Sequence, residues 1–281
     1  MVCIVHEDEV ESTTAGRGVR RRAMLTRVRI PGARVLADRI DFNPGGRFEL
    51  SMSADSLAWF LVLGGGLQLE LDGALHQLHE AHAVVLPLAC RGWLTADEAG
   101  ARLLLAEVPE ALKLDPGIAA SPPQLRIIDW AHEPVLDSKH DARRRIYVAT
   151  PKLTGNKALK AEIIVYPPHT DGSNHHHEGA EHFMYVITGE STGYSDGVPH
   201  PYRAGDLVYH PDGERHYTST GAAGKTFIEF FVPAEYRTVW ADEGRVCTWL
   251  PTGRDSRGGR PSREIAAHDS KAAAMVVPED L

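Results

Sequence analysis

The sequence predicts an all-β protein built as two related β-domains in one chain. Three observations point there. Short apolar or alternating runs separated by turn residues recur between Met24 and Leu105. The same texture returns between Ala161 and Val232. Trp59-Phe60-Leu61-Val62-Leu63-Gly64 holds in the first half the place that Phe183-Met184-Tyr185-Val186-Ile187-Thr188-Gly189 holds in the second, which reads as a divergent duplication. Short strands at regular spacing suit an antiparallel sandwich or barrel, and 281 residues suffice for two hydrophobic cores.

Residues 1–22 start acidic, turn basic at Arg20, Arg21 and Arg22, and read as a disordered arm. Residues 23–120 form the first domain, with strand runs at Arg34–Ile40, Trp59–Leu63, Leu67–Leu71, Ala83–Leu88 and Ala101–Leu105. A Pro-marked connection at Ser121, Pro122 and Pro123 leads into a second domain over residues 121–245, with runs at Ala161–Tyr166, Phe183–Ile187, Leu207–Tyr209 and Thr226–Val232. Pro233 suits a helix start, so Ala234–Trp240 is expected as a short helix. Residues 246–281 form a C-terminal extension; beyond Gly253 it lacks hydrophobic periodicity and is expected to be mobile or laid over a neighbouring surface.

With 30 Lys plus Arg against 38 Asp plus Glu, the net charge of -8 argues against nucleic acid or an anionic membrane as partner, and points to a small-molecule substrate. Cys3, Cys90 and Cys247 are too few and scattered for a disulfide framework, which suits a reducing cytoplasm. The N-terminus has no signal-peptide core, and no window reaches the roughly 18 to 20 apolar residues of a membrane span. Exposed edge strands suit a homodimer.

The chemistry concentrates in two segments. The first, NHHHEGAEHFMYVITGE from Asn174 to Glu190, contains His175-x-His177, Glu181 and Gly189. On a strand, residues i and i+2 share a face, so His175 and His177 point inward together and His176 points away. A hairpin through Glu178, Gly179 and Ala180 is expected to return Glu181 to the same site. The second segment, GDLVYHPDGERHYTST, supplies Gly205, Pro211, Gly213 and His216, with turns that bring His216 to the same face.

These two segments resemble the paired signature motifs of the cupin superfamily: His-x-His, three residues, Glu and a strand-end Gly, then Gly, five residues, Pro-x-Gly, two residues and His. The sequence departs in having Gly172 displaced from its motif position and Thr220 where an Asn is usual, and neither change removes a ligand. The resemblance implies two cupin-like double-stranded β-helix (jelly-roll) barrels. It also implies one divalent transition metal per chain on His175, His177, Glu181 and His216. Imidazole plus carboxylate suits Fe, Mn, Ni, Cu, Co or Zn, and leaves open positions for substrate. In the first domain, aligning Gly64 with Gly189 and Pro87 with Pro211 puts Leu50, Met52, Ser56 and Gly92 at the ligand positions, and a one-residue shift gives Ser51, Ser53 and Leu57. That domain is read as degenerate.

In the strand after Glu181, Phe183, Tyr185 and Ile187 are expected to share its inward face, making Tyr185 a candidate for orienting substrate or donating a proton. Glu229, if inward, is a buried carboxylate fit for proton transfer. His169 and His210 flank the motifs at the barrel mouth. His76, His79 and His82 recur every third residue in strand and turn and read as solvated surface. The expected function is a metalloenzyme acting on a small ketol, enediol, catechol or carboxylate, with a dioxygenase favoured by analogy to similar cupins. The alternatives are an isomerase, decarboxylase or lyase, and a non-enzymatic binding or storage protein.

Overall fold

The Arg-rich segment before Met24 is a strand. Residues 1–22, expected as a disordered arm, carry β1 (Cys3–His6) and most of β2 (Ser12–Leu25). β2 lies antiparallel to β3 (Leu36–Ser51), with Arg20 opposite Asp41. Arg21 is ion-paired to Asp38 at 2.7 Å, and Arg22 to Asp41. The basic residues that read as solvated therefore partner acidic residues of the next strand, while Val19, Met24 and Leu25 are buried anchors.

The computed structural model describes residues 1–242, 244, 247–266 and 268, and the chain divides into two units. One comprises residues 6–130 and 154–158; the other comprises residues 1–5, 131–153 and the described residues from 159 onward. The first adds β4 (Leu57–Leu71), β5 (Ala74–His79), β6 (His82–Val85), β7 (Arg91–Val108) and β8 (Arg126–Asp129). Its sheet runs β2-β3-β7-β4-β6-β8, with β5 on β4. Its interior is apolar, with Leu50, Phe60, Leu69, Leu94 and Leu103 buried together. Each such side chain contributes about 1.5–3 kcal/mol on burial.

The second unit is built from β9 (Val135–Ser138), β10 (Arg144–Ala149), β11 (Lys160–Tyr166), β12 (His175–Glu178), β13 (Glu181–Ser195), β14 (Val198–Arg203), β15 (Asp206–His210), β16 (His216–Ser219), β17 (Lys225–Val232), β18 (Arg237–Trp240) and β19 (Trp249–Pro251). Its sheet runs β18-β12-β16-β13-β17-β11-β10-β9-β19, with β14 and β15 on β13 and β1 on β15. The expected helix over Ala234–Trp240 is absent. Thr238, Val239 and Trp240 are β-branched or aromatic, and as β18 they pair with the histidine strand β12. The extension beyond residue 246 packs on its own unit: β19 pairs with β9, and Ser262 and Arg263 bond to Glu133. The rest of the expected mobile tail, residues 267 and 269–281, lies outside the described residues. Among the described residues no helix is long and apolar enough to cross a membrane.

The duplication is regular in structure. β5 reappears as β14 at an offset of 124 residues, 74 matching 198 and 79 matching 203. Gly65 and Gly189 both adopt positive φ, +75° and +80°. A Cβ at either would meet a carbonyl oxygen at 2.0 or 1.9 Å, that of Gly100 or of Gly224. The equivalent of Gly189 is thus Gly65, one residue beyond the Gly64 suggested by the apolar run.

Candidate metal centre

β12 alternates as a strand must, with His175 and His177 on one face and His176 on the other. His175 stands opposite His216 of β16, and opposite Trp240 of β18 on its other side; His177 stands opposite Thr238. One ligand nitrogen from each of His175, His177 and His216 falls within 4.8 Å of the others. The structure therefore brings together three of the four expected ligands.

These imidazoles are prepared for a metal by their outer partners. His175 Nδ1 lies 2.8 Å from the Ser173 carbonyl oxygen and His216 Nδ1 2.9 Å from that of Glu214. A carbonyl only accepts, so both Nδ1 atoms carry the proton and both Nε2 atoms carry the lone pair. His177 Nδ1 bonds the Thr238 hydroxyl at 3.1 Å. Nε2 of His216 is buried without a hydrogen-bond partner. Burial, reinforced by the neighbouring imidazoles, pushes His177 and His216 well below the ordinary histidine value. Burial pushes His175 down to about 3. Neutral imidazoles with unspent lone pairs are the state a divalent transition metal requires, so these residues fit one.

Glu181 does not join them. It points to the opposite face of β13, where its Oε2 accepts from the Tyr209 hydroxyl at 2.9 Å. The expected hairpin is absent because β12 pairs with β16 and β18, whereas the start of β13 pairs with β15 and β17. The segment through Glu178, Gly179 and Ala180 changes neighbours, so strand parity does not carry across it. The slip moves every following side chain to the other face. Phe183 stacks on Phe230 at 4.5 Å, and Tyr185, opposite Leu207 and Ile228, lies in that same outer layer. Neither Phe183, Tyr185 nor Ile187 lines the cavity, and the expected catalytic role of Tyr185 has no geometric basis.

The inward residues of β13 are His182 and Met184. The ring of His182 is centred 5.3 Å from His177 and 5.0 Å from His216. Its Nε2 bonds Glu229 Oε2 at 3.1 Å, and its Nδ1 is buried without a hydrogen-bond partner. No local signal marked His182, because Phe183 to Ile187 is apolar on both faces and the register of β13 shifts between Val186 and Thr188. Glu229 faces the cavity, as its alternation on β17 allowed. Burial works against its charge, but the bond with His182 outweighs that and holds it below the usual carboxylate range. His210 is buried beside the site, its ring stacked 4.3 Å from His216 and its Nδ1 donating to Glu214 at 2.8 Å. His169 is exposed, and neither it nor His210 lines the cavity.

The remaining wall of the cavity is cationic and aromatic. Arg145 and Lys160 reach Glu162 at 3.2 and 3.1 Å, and Lys160 donates to the Tyr236 hydroxyl at 2.8 Å. Arg143 is held by Asp141 at 2.7 Å, and donates to the Tyr166 hydroxyl at 3.1 Å and Cys247 Sγ at 2.8 Å. Tyr147, Phe231, Trp240 and Trp249 complete the enclosure. Sequence reasoning missed these cations, since an isolated Arg or Lys on a strand carries no motif.

In the first unit, Leu50 stands opposite Gly92 as His175 stands opposite His216. Ala58 occupies the position of His182 at the offset of 124 residues, and no side chain at these places ligates a metal. On its surface, the rings of His79 and His82 lie tilted with centroids 3.7 Å apart across a turn, close to Asp129, and His76 stands apart opposite Leu69. His82 Nδ1 accepts from the His79 backbone N–H at 3.2 Å. Its neutral ring then carries the proton on Nε2, so the group does not present three converging lone pairs.

Comparison with known proteins agrees with this architecture. Residues 162–226 match the family model described as Cupin domain. A stretch of 75 residues is 33% identical to the oxalate-binding protein of Thermotoga maritima, covering 27% of this chain and 60% of that relative's length. A solved structure of Bacillus subtilis oxalate decarboxylase matches over 85% of this chain and 79% of its own, with a TM-score of 0.67 and 16% identity. One of the same enzyme at pH 4.6 matches over 85% and 78%, with the same TM-score and identity. A third concerns that enzyme's Mn(II) centres and gives 85% and 79% coverage at the same TM-score and identity.

Proposed function

We propose that this chain, a member of the cupin superfamily, is a metal-dependent decarboxylase or lyase of small carboxylate substrates. The observation that carries the reading is one cavity with three metal-ready imidazoles on one wall and Arg145, Lys160 and Glu229 on the other. A divalent ion would be held by His175, His177 and His216 with His182 beside them, and when bound it supplies Lewis acidity toward substrate oxygens. Among Fe, Mn, Ni, Cu, Co and Zn, the Mn(II) centres of the similar oxalate decarboxylase favour manganese.

The chain's own residues account for the rest. Arg145 and Lys160 neutralise a substrate carboxylate inside a low-dielectric enclosure, where such contacts are stronger than in water. Tyr236, Phe231 and the two tryptophans exclude water from the reacting carbon. Glu229, oriented by His182, moves the proton that the carbon takes up when its carboxyl group leaves. Dioxygenase chemistry, favoured from the sequence alone, gains no support from these residues or from the similar proteins. A second reading, a carboxylate-binding protein without turnover, is favoured by the name of the Thermotoga maritima relative.

The test is carbon dioxide release from a panel of small mono- and dicarboxylates, oxalate included, measured with and without dioxygen. Release that needs no dioxygen is the expected result. Turnover that consumes dioxygen would return the protein to the oxygenase class, and tight binding without turnover would establish the second reading.

A further inference from the structure

Glu162 is a fully buried carboxyl in the middle of β11 that the proposed chemistry has not used. It stands directly opposite Glu229 on one side and Tyr147 on the other. Two carboxylates facing each other across adjacent strands repel when both are ionised. The compensating cations are Arg145 from β10 and Lys160 from β11, each ion-paired to one oxygen of Glu162. Both cations line the cavity while Glu162 stands behind them. The other groups facing the cluster are two neutral phenols, Tyr147, which accepts from Arg145 at 3.2 Å, and Tyr236, which accepts from Lys160 at 2.8 Å, and the His182 imidazole, whose Nε2 bonds Glu229 at 3.1 Å. Arg143, the remaining cation of the wall, is taken by Asp141.

Among Arg145, Lys160, Glu162 and Glu229 the charges balance when both carboxyls are ionised, and neither Arg145 nor Lys160 is then left uncompensated for an incoming anion. With Glu162 neutral, one positive charge is free. We infer that Glu162 is a proton store: a substrate carboxylate that binds against Arg145 and Lys160 is accompanied by uptake of one proton from solvent onto Glu162. The inference rests on the carboxylate reading above and adds to it how the charge is balanced.

Burial pushes the Glu162 carboxyl up to about 7, against the pull of Arg145 and Lys160 and with a further push from Glu229. The group is therefore poised to change charge near neutrality. The stoichiometry of a decarboxylation fits as well. The electron pair of the broken carbon–carboxyl bond stays on carbon, carbon dioxide departs, and the carbon takes one proton, the same number that entered with the anion. Glu229 lines the cavity and stands directly opposite Glu162 across β11 and β17, so it lies between the store and the substrate.

The experiment is calorimetric binding of malonate to the protein as isolated, in buffers of different ionisation enthalpy, between about pH 7 and 9, where malonate is fully ionised. The wild type is expected to take up about one proton per malonate, and its affinity to fall by about tenfold per pH unit above the Glu162 midpoint. Glu162→Gln is expected to take up none, to bind with little pH dependence, and to exceed the wild type in affinity at the alkaline end. Zero uptake by the wild type, or unchanged uptake by Glu162→Gln, overturns the assignment. The infrared carbonyl band of a neutral carboxylic acid in the wild type, expected at about pH 6 and lost by about pH 9, gives a readout without ligand or variant. If malonate does not bind, the carboxylate reading falls and the band decides for Glu162 alone. A band that titrates upholds the proton store, and its absence overturns it.

Discussion

Exchanging Glu181 and His182 separately for neutral residues asks which of the two adjacent side chains serves the metal. Glu181 is buried and accepts a hydrogen bond from the Tyr209 hydroxyl at 2.9 Å on the face of β13 away from the histidines. Glu181→Gln replaces a charged acceptor by a neutral one, a loss of roughly 2 kcal/mol for a hydrogen bond to a charged group. At about 2–4 °C per kcal/mol for a chain of this size, that is a fall in Tm of roughly 4–8 °C. Metal content is expected to stay at the wild-type value. His182→Asn removes an imidazole whose ring is centred 5.0 Å from His216. It is expected to weaken metal affinity by about 10- to 100-fold, the range found for residues that support or complete a metal site. Elemental mass spectrometry after dialysis against graded chelator measures metal content and affinity, and thermal denaturation measures the fall in Tm. If Glu181→Gln strips the metal as thoroughly as His177→Ala, or His182→Asn keeps it, the assignment of faces on β13 is wrong.

Two further outcomes follow from single contacts. Thr238→Ala removes the partner of His177 Nδ1 and is expected to lower metal affinity by about 10-fold with little change in fold, read by the same chelator titration. Lys225 is buried among Tyr166, Tyr202 and Phe227, and burial pulls its amine from 10.5 down to about 7. Its folded value lies below its unfolded one, so the unfolded chain holds more protons between those values, and stability rises with pH across that window. Lys225→Met is therefore expected to raise stability by roughly 2 kcal/mol at pH 7, after allowing for the lost bond to Thr218, with the gain shrinking toward pH 10. Denaturant melts at both values check this; a variant less stable at pH 7 than the wild type would show that the cation–π contacts outweigh desolvation.

The spacing of His175, His177 and His216 was enough to assemble three ligands, because two of them sit on one strand with a period of two and the third follows a Pro-x-Gly turn that fixes its own strand. The division into two β units was legible for the same reason: turn residues and apolar runs are local signals. The face on which β13 presents its side chains was not local. Phe183 to Ile187 is apolar on both faces, so alternation carries no sign, and only the pairing of β13 with β15 and β17 rather than with β12 put His182 inward and Glu181 out. The arm was misread likewise, since Arg20 to Arg22 look solvated until Asp38 and Asp41 on β3 are known to lie beside them. The cluster of Arg145, Lys160, Glu162 and Glu229 gathers residues from β10, β11 and β17 that are distant along the chain. Their neighbourhood, and with it every altered charge in the cavity, exists only once antiparallel register sets them side by side.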